Sequence, residues 1–197
     1  MNFGGFVPLS TVDWRGRSVC TVFLRGCPVH CFYCQNENIR TGSDLREIDE
    51  IIGMIKKASL VISGVVFSGG EPTMQKDPLI VLAIACKKMG LKVGIHTNGV
   101  FPNTLKEMID QKVIDKVAMD LKTTWDNYDE LLNKKCSDDV KKSLAILKEA
   151  YSEGRLPEFE LVFTIFPGME ELFPIMIKEA EGIDFVLQQG RSEERRV

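Results

Sequence analysis

Val19-Cys20-Thr21-Val22-Phe23-Leu24 runs directly into Arg25-Gly26-Cys27-Pro28-Val29-His30-Cys31-Phe32-Tyr33-Cys34-Gln35-Asn36. The first six residues are apolar and rich in β-branched side chains, apart from one threonine, and read as a strand reaching about residues 20–25. The loop after it places three cysteines at i, i+4 and i+7. A strand that ends in a chemistry-bearing loop points to an α/β fold, in which sites collect at the carboxyl ends of strands. Three thiolates in one short loop can hold three irons of a cubane cluster. The fourth iron is then left for a ligand that is not a cysteine, whereas electron carriers usually close the cluster with a fourth one.

Outward from this stretch, strand and helix patterns alternate. Thr41-Gly42-Ser43-Asp44 reads as a turn and helix cap, and Leu45, Ile48, Ile51, Ile52 and Ile55 follow at helical spacing. Residues 60–67 are β-branched and nearly all apolar, as in a strand covered on both faces, and they end in Ser68-Gly69-Gly70-Glu71-Pro72. Asp77-Pro78 opens a helix that Gly90 stops. A strand at 92–95 ends in His96-Thr97-Asn98-Gly99. A helix at 103–111, a strand at 116–121 and helices at 125–132 and 138–151 come next. A strand at 159–166 closes on Pro167-Gly168. Residues 170–181 are helical apart from Pro174, and 185–189 form the last strand. Residues 1–17 lack a regular period and read as a lead-in segment, and 190–197 as a charged tail.

About six strand–helix alternations with helices of ten or more residues predict a parallel sheet with right-handed crossovers. A complete eightfold barrel typically takes about 250 residues, so 197 residues predict a partial (β/α)6 TIM-like barrel with parallel strands, in one domain over 1–197. A flat doubly wound sheet shows the same alternation.

With 44% hydrophobic and 27% charged residues, the chain has the composition of a globular protein with its own core. The net charge of −3 gives no electrostatic reason to expect nucleic acid as a partner. No apolar run is long enough for a membrane span and the N-terminus lacks a signal-peptide layout, which predicts a cytoplasmic protein. Reduced thiols are expected there. Cys20, Cys86 and Cys136 are scattered singly, and we give them no function.

Each motif has a plain structural reading beside its chemical one. The cysteine triad could be a Cys3His zinc site completed by His30 or His96. Zinc sites more often pair two Cys-x-x-Cys hooks, and the compact triad favours iron–sulfur. Gly69-Gly70-Glu71-Pro72 could be a packing turn, or a place where backbone approaches a ligand and offers carbonyls to an ammonium group. Asn98-Gly99 is a turn signal in its own right. Lys122 leaves an apolar strand two residues after Asp120, on the same face, and is either solvated or set to bind a carboxylate.

Taken together and in this order, the motifs make the chain resemble the radical S-adenosylmethionine (SAM) superfamily. It is most similar to the activating enzymes of glycyl-radical proteins, of the archaeal anaerobic ribonucleoside-triphosphate reductase type. Ser10-Thr11-Val12-Asp13, the cysteine loop with Gln35-Asn36, Ser68 to Pro72, Thr97-Asn98-Gly99, Met119-Asp120-Leu121-Lys122 and Phe166-Pro167-Gly168 carry the resemblance. It implies a [4Fe–4S] cluster on Cys27, Cys31 and Cys34, with SAM on the fourth iron. Gly69, Gly70 and Glu71 would hold the methionine ammonium group, Lys122 would reach the carboxylate, and Tyr33 would lie near the adenine. His96, Thr97, Asn98 and Asp120 would complete the cofactor site.

His96 stands where the family often has an acidic residue that helps form a cation site with the aspartate matching Asp120. Its imidazole could hydrogen-bond SAM instead. The implied partners are a glycyl-radical enzyme, by default anaerobic ribonucleotide reductase, and an electron donor such as flavodoxin or ferredoxin. Two other readings stay open: a small radical SAM enzyme like the 7-carboxy-7-deazaguanine synthases, and a non-enzymatic iron–sulfur or zinc module.

Overall fold

The computed structural model describes residues 1–190. Seven strands make one sheet: β1 (Phe3–Ser10), β2 (Val19–Leu24), β3 (Gly64–Gly69), β4 (Lys92–Thr97), β5 (Lys116–Leu121), β6 (Glu158–Ile165) and β7 (Asp184–Gln189). Their spatial order follows the chain, β1 to β7. β1 runs antiparallel to β2, and each later pair is parallel. A doubly wound sheet must reverse its strand order at a switch point. This order never reverses, so the strands form the arc of a partial (β/α)6 barrel with one antiparallel strand added at the front.

The helices α1 (Ile48–Ala58), α2 (Lys76–Lys88), α3 (Pro102–Asp110), α4 (Tyr128–Leu131), α5 (Ser137–Ser152) and α6 (Phe173–Met176) occupy the crossovers. Their apolar stripes close the main core, with Ile51, Ile55, Leu79, Leu82, Leu105, Met108 and Leu147 buried against strand residues such as Val65, Phe67, Val93, Ile95 and Leu161. Gly90, at φ 76°, ends the α2 turn in the left-handed region, as expected of a C-terminal glycine.

The residues expected to be a lead-in include a strand. β1 pairs with β2 from Phe3 opposite Leu24 to Ser10 opposite Val19, with two register shifts. Gly4, Gly5 and Pro8 break its alternation, and its order comes from its neighbour in space. The first helix begins at Ile48, not near Leu45. Asp44 binds Arg46 instead of capping it, and Leu45 is exposed and bridges to Asn2. The third strand begins at Gly64, because Leu60 and Val61 (91% and 62% exposed) sit in the turn that leaves α1. The helix expected at 125–132 is a 3-10 turn (Trp125–Asn127) followed by α4. The one expected at 170–181 shortens to α6 and a 3-10 turn, with Pro174 in the first turn of α6. Beyond Gly190, the expected tail lies outside the described residues.

A tryptophan closes the floor of the arc. Trp14 is 1% exposed and packs with Val19 and Val66, its indole seated on Gly94. A Cβ at Gly94 would lie 2.9 Å from the ring. The indole N–H donates to Glu158 at 2.8 Å, and Lys116 and Arg17 place cations over the ring.

At the same end, Asp115 accepts from Lys87 at 2.7 Å, Lys92 at 2.8 Å and the Val93 amide at 2.9 Å. Burial pushes its carboxyl up, but these three donors outweigh that and hold it below its usual value. A lowered folded-state pKa contributes stability above the unfolded value, about 4, and loses it as pH falls through the folded value. Asp115→Asn is therefore expected to cost roughly 1–2 kcal/mol at pH 7, since both lysines are partly exposed. Denaturant melts should show that difference shrinking below about pH 4.

Candidate functional site

A cavity of about 660 Å³ runs down the arc from the carboxyl ends of the strands to Lys116 and Glu160. All twelve site residues expected from the sequence line it. Four successive strands deliver them: the loop after β2, the turn after β3, the end of β4 and the end of β5.

Backbone contacts set the cysteine loop. The amides of Gly26 and Cys27 donate to the carbonyls of Ile39 and Arg40 at 2.8 and 3.1 Å, and that of Cys34 to the Cys31 carbonyl at 3.2 Å. The Arg25 guanidinium ties the loop's return by donating to the carbonyls of Phe3, Asn38 and Thr41. Its outer side meets the segment before α5, where the His30 amide donates to the Leu132 carbonyl at 3.2 Å. All three loop cysteines are free thiols. Burial pushes the Cys27 thiol up to about 12, and burial also raises Cys31, with Lys122 pulling against it. Such thiols ionise when a metal cation replaces the proton.

The glycine turn packs onto that loop. The amides of Gly70 and Glu71 donate to the carbonyls of Leu24 and Gly26 at 2.9 and 2.8 Å, and Asn36 Nδ2 donates to the Gly69 carbonyl at 2.9 Å. Gly69 has φ 122°, and a Cβ there would lie 2.3 Å from the Leu24 carbonyl oxygen. A Cβ on Gly70 would lie 2.2 Å from the Gly26 carbonyl oxygen. The packing reading of the two glycines and the cofactor reading therefore meet in one feature: the turn can reach the cavity only by lying flat on the cysteine loop.

Glu71 is wholly buried. One carboxylate oxygen accepts from the Thr73 amide at 3.0 Å, the Thr73 hydroxyl, and Thr97 Oγ1 at 2.8 Å. The other accepts from the Asn98 amide at 2.7 Å. Burial raises its carboxyl against the pull of these donors. Both oxygens are committed inside the protein, so the part of this turn free to meet a ligand is backbone. Thr97 and Asn98 share in the same clamp, and Asn98 Nδ2 also points to Cys27 Sγ at 3.6 Å. His96 Nε2 lies 3.0 Å from the Asp13 carbonyl oxygen, which makes that nitrogen a donor.

Lys122 Nζ is 2.7 Å from Asp120 Oδ2 and 5.7 Å from the Tyr33 ring centre. Burial pulls the pKa of this ammonium down, but Asp120 leads the groups that outweigh it and raise it above its usual value. Tyr33 packs against Phe32 and Phe166, and its buried hydroxyl has no hydrogen-bond partner. An orphaned buried hydroxyl at a cavity wall is the kind of group a ligand satisfies.

Other lining residues lie outside the expected set, among them Asp13, Arg15, Lys116 and Glu160 further down and Gln188 near the end of β7. Lys116 and Glu160 form a buried ion pair at 2.9 Å, and Asp13 accepts from Thr21 Oγ1 at 2.7 Å. A signal for Lys116 was available: counting back in twos from Lys122 through Asp120 and Ala118 reaches it, and period two puts all four on one strand face.

The residues present fit a polynuclear cluster with a charged organic ligand beside it. Among the described residues, no three His, Cys, Asp or Glu side chains gather as a ligand set for a single ion. Three thiols lining one cavity suit a cubane, which takes one thiolate per iron. The buried ammonium of Lys122 and the orphaned Tyr33 hydroxyl supply polar contacts for the ligand.

The Radical SAM superfamily profile matches residues 21–172. A protein of Methanocaldococcus jannaschii provisionally named glycyl-radical enzyme activating enzyme MJ1227 is 39% identical over 139 residues, covering 68% of this chain and 55% of that protein. A 7-carboxy-7-deazaguanine synthase of Methanospirillum hungatei is 35% identical over 86 residues, or 42% of this chain and 35% of its own. The chain thus spans about half the length, or less, of these curated relatives. Among solved structures, Streptococcus suis SuiB bound to S-adenosylmethionine superposes with a TM-score of 0.67 at 18% identity, covering 85% of this chain and 39% of SuiB. At that identity the likeness is one of fold.

Proposed function

The chain belongs to the radical SAM superfamily, and from that premise we propose that it activates a glycyl-radical enzyme. Its cofactors in that role are a [4Fe–4S] cluster and SAM. When bound, they supply one-electron reductive cleavage of the sulfonium carbon–sulfur bond, whose outcome is removal of a hydrogen atom from a glycine Cα of the partner. The observation that carries the reading is the meeting of Cys27, Cys31 and Cys34 in one cavity with Lys122, Asp120 and the backbone of Gly69 and Gly70.

Each residue has a task that its surroundings suit. Cys27, Cys31 and Cys34 hold three irons. The turn at Gly69 and Gly70 brings backbone carbonyls to the ligand's ammonium, and Glu71 fixes the turn from inside. Lys122 meets the ligand's carboxylate with a charge that burial leaves poorly solvated, which makes the pairing strong. Tyr33 covers the ligand's nucleoside with its ring and offers its free hydroxyl. Phe32 and Phe166 pack against the Tyr33 ring and hold it in place.

The relative matched over 68% of this chain supports the partner class. Within that class we propose anaerobic ribonucleoside-triphosphate reductase as the target, with flavodoxin or ferredoxin as the electron source. The test begins with anaerobically reconstituted, dithionite-reduced protein and SAM, which should release 5′-deoxyadenosine and methionine. Adding the reductase of the same organism should then produce a glycyl-radical EPR doublet. Absence of 5′-deoxyadenosine removes the radical SAM reading of the site. Its release without a doublet on any glycyl-radical protein of that organism moves the assignment to a small-molecule substrate.

A further inference from the structure

Asp120 and Lys122 form a pair whose position matters more than its strength. The Lys122 side chain is 12% exposed and that of Asp120 32%. The ammonium therefore sits in the protein with one carboxylate at 2.7 Å as its counter-ion, and the Tyr33 ring lies on another side of it. Both residues line the cavity that Cys27, Cys31 and Cys34 also line. Titratable groups around the pair are Cys31 and Tyr33 from the cysteine loop, and Tyr128 from α4, whose hydroxyl lies 3.5 Å from the Asp120 carbonyl oxygen. None of these is a cation that could serve Asp120 if Lys122 turned away.

We propose that Asp120 is a positioning residue that acts as a resident stand-in for the carboxylate of the bound cofactor, occupying Lys122 in the free protein and competing with the ligand for it. The inference rests on the reading of the cavity as a SAM site. Two anionic groups on one buried ammonium repel each other, whether the ligand displaces Asp120 or shares Lys122 with it. Asp120 thereby holds Lys122 in place in the ligand-free protein, at a cost in affinity for any carboxylate that arrives. Without Asp120, the free protein holds a buried ammonium with no counter-ion, and an incoming carboxylate relieves that state.

The experiment measures equilibrium binding of SAM and of decarboxylated SAM to the anaerobically reconstituted protein, as wild type, Asp120→Asn and Lys122→Ala. Asp120→Asn is expected to bind SAM roughly tenfold tighter and to leave decarboxylated SAM unchanged. Its melting temperature without ligand should fall, and the rise produced by saturating SAM should exceed that of the wild type. Lys122→Ala should lose most of the preference for SAM over decarboxylated SAM. Weaker SAM binding by Asp120→Asn, or an equal change for both ligands, overturns the proposal, since a residue that only shapes the pocket would act on both. Should the wild type bind neither ligand, the SAM reading fails, which is a different result from a wrong role for Asp120.

Discussion

Cys31→Ala is expected to give a folded protein that cannot carry its cluster. Reconstitution with iron and sulfide should leave the visible absorption of a [4Fe–4S] centre missing, and release of 5′-deoxyadenosine should fall to background. Cys31 is partly exposed and packs at the margin of the core, so removing its sulfur opens no internal void. The loop around it is held by main-chain bonds to Ile39, Arg40 and Leu132, none of which uses the thiol. The expected result is loss of the metal with little loss of stability, read by comparing unfolding midpoints of the two apo proteins. A mutant with a full cluster spectrum would return Cys31 to the status of an ordinary small hydrophobe.

Glu71→Ala is expected to act the other way, through the fold. It strips acceptors from the amides of Thr73 and Asn98 and from the hydroxyls of Thr73 and Thr97, all within a buried region. The hydroxyls can rotate towards other acceptors, but the two amides cannot. Leaving such donors unpaired, together with the void of the lost side chain, should cost about 3–5 kcal/mol. That is a large share of the roughly 5–15 kcal/mol typical of a domain. Glu71→Gln keeps the shape and one acceptor oxygen and should fall between the two. Urea denaturation checks both, and an alanine variant with a wild-type midpoint would mean that the carboxylate is not part of the frame. The clamp joins the turn after β3 to the end of β4, so its loss should also loosen the cysteine loop that rests on that turn.

Residues whose neighbours in sequence are also their neighbours in space were legible. β5 falls on residues 116–121 as expected, because Val117, Ala118, Met119 and Leu121 make a short apolar stretch between polar turns, which suits a covered strand. The cysteine loop and the glycine turn declared themselves by spacing and by residue type. β1 did not, since glycines and a proline hide its alternation and its order comes from pairing with β2. The Leu60–Val61 step misled in the opposite direction: β-branched and apolar character suggested a strand where the chain only turns over the end of α1. The floor of the cavity was hardest to foresee. Trp14 has no periodic companion, and its seat depends on Gly94 and its hydrogen bond on Glu158, 144 residues away. The inward commitment of Glu71 was hidden for a related reason, because two of its partners, Thr97 and Asn98, come from the end of another strand.

The contact of Gly70 with Gly26 has a consequence for anyone who would move this chemistry elsewhere. A loop of three cysteines looks portable, a short segment to be grafted onto any barrel strand. Here its underside is shaped by the bare backbone of the strand beside it, and Asn36 fastens the two together. The smallest transferable module is a pair of adjacent strand ends with their turns. A graft that brings the cysteines and leaves an alanine where Gly70 should be would carry the ligands without the surface that holds them level.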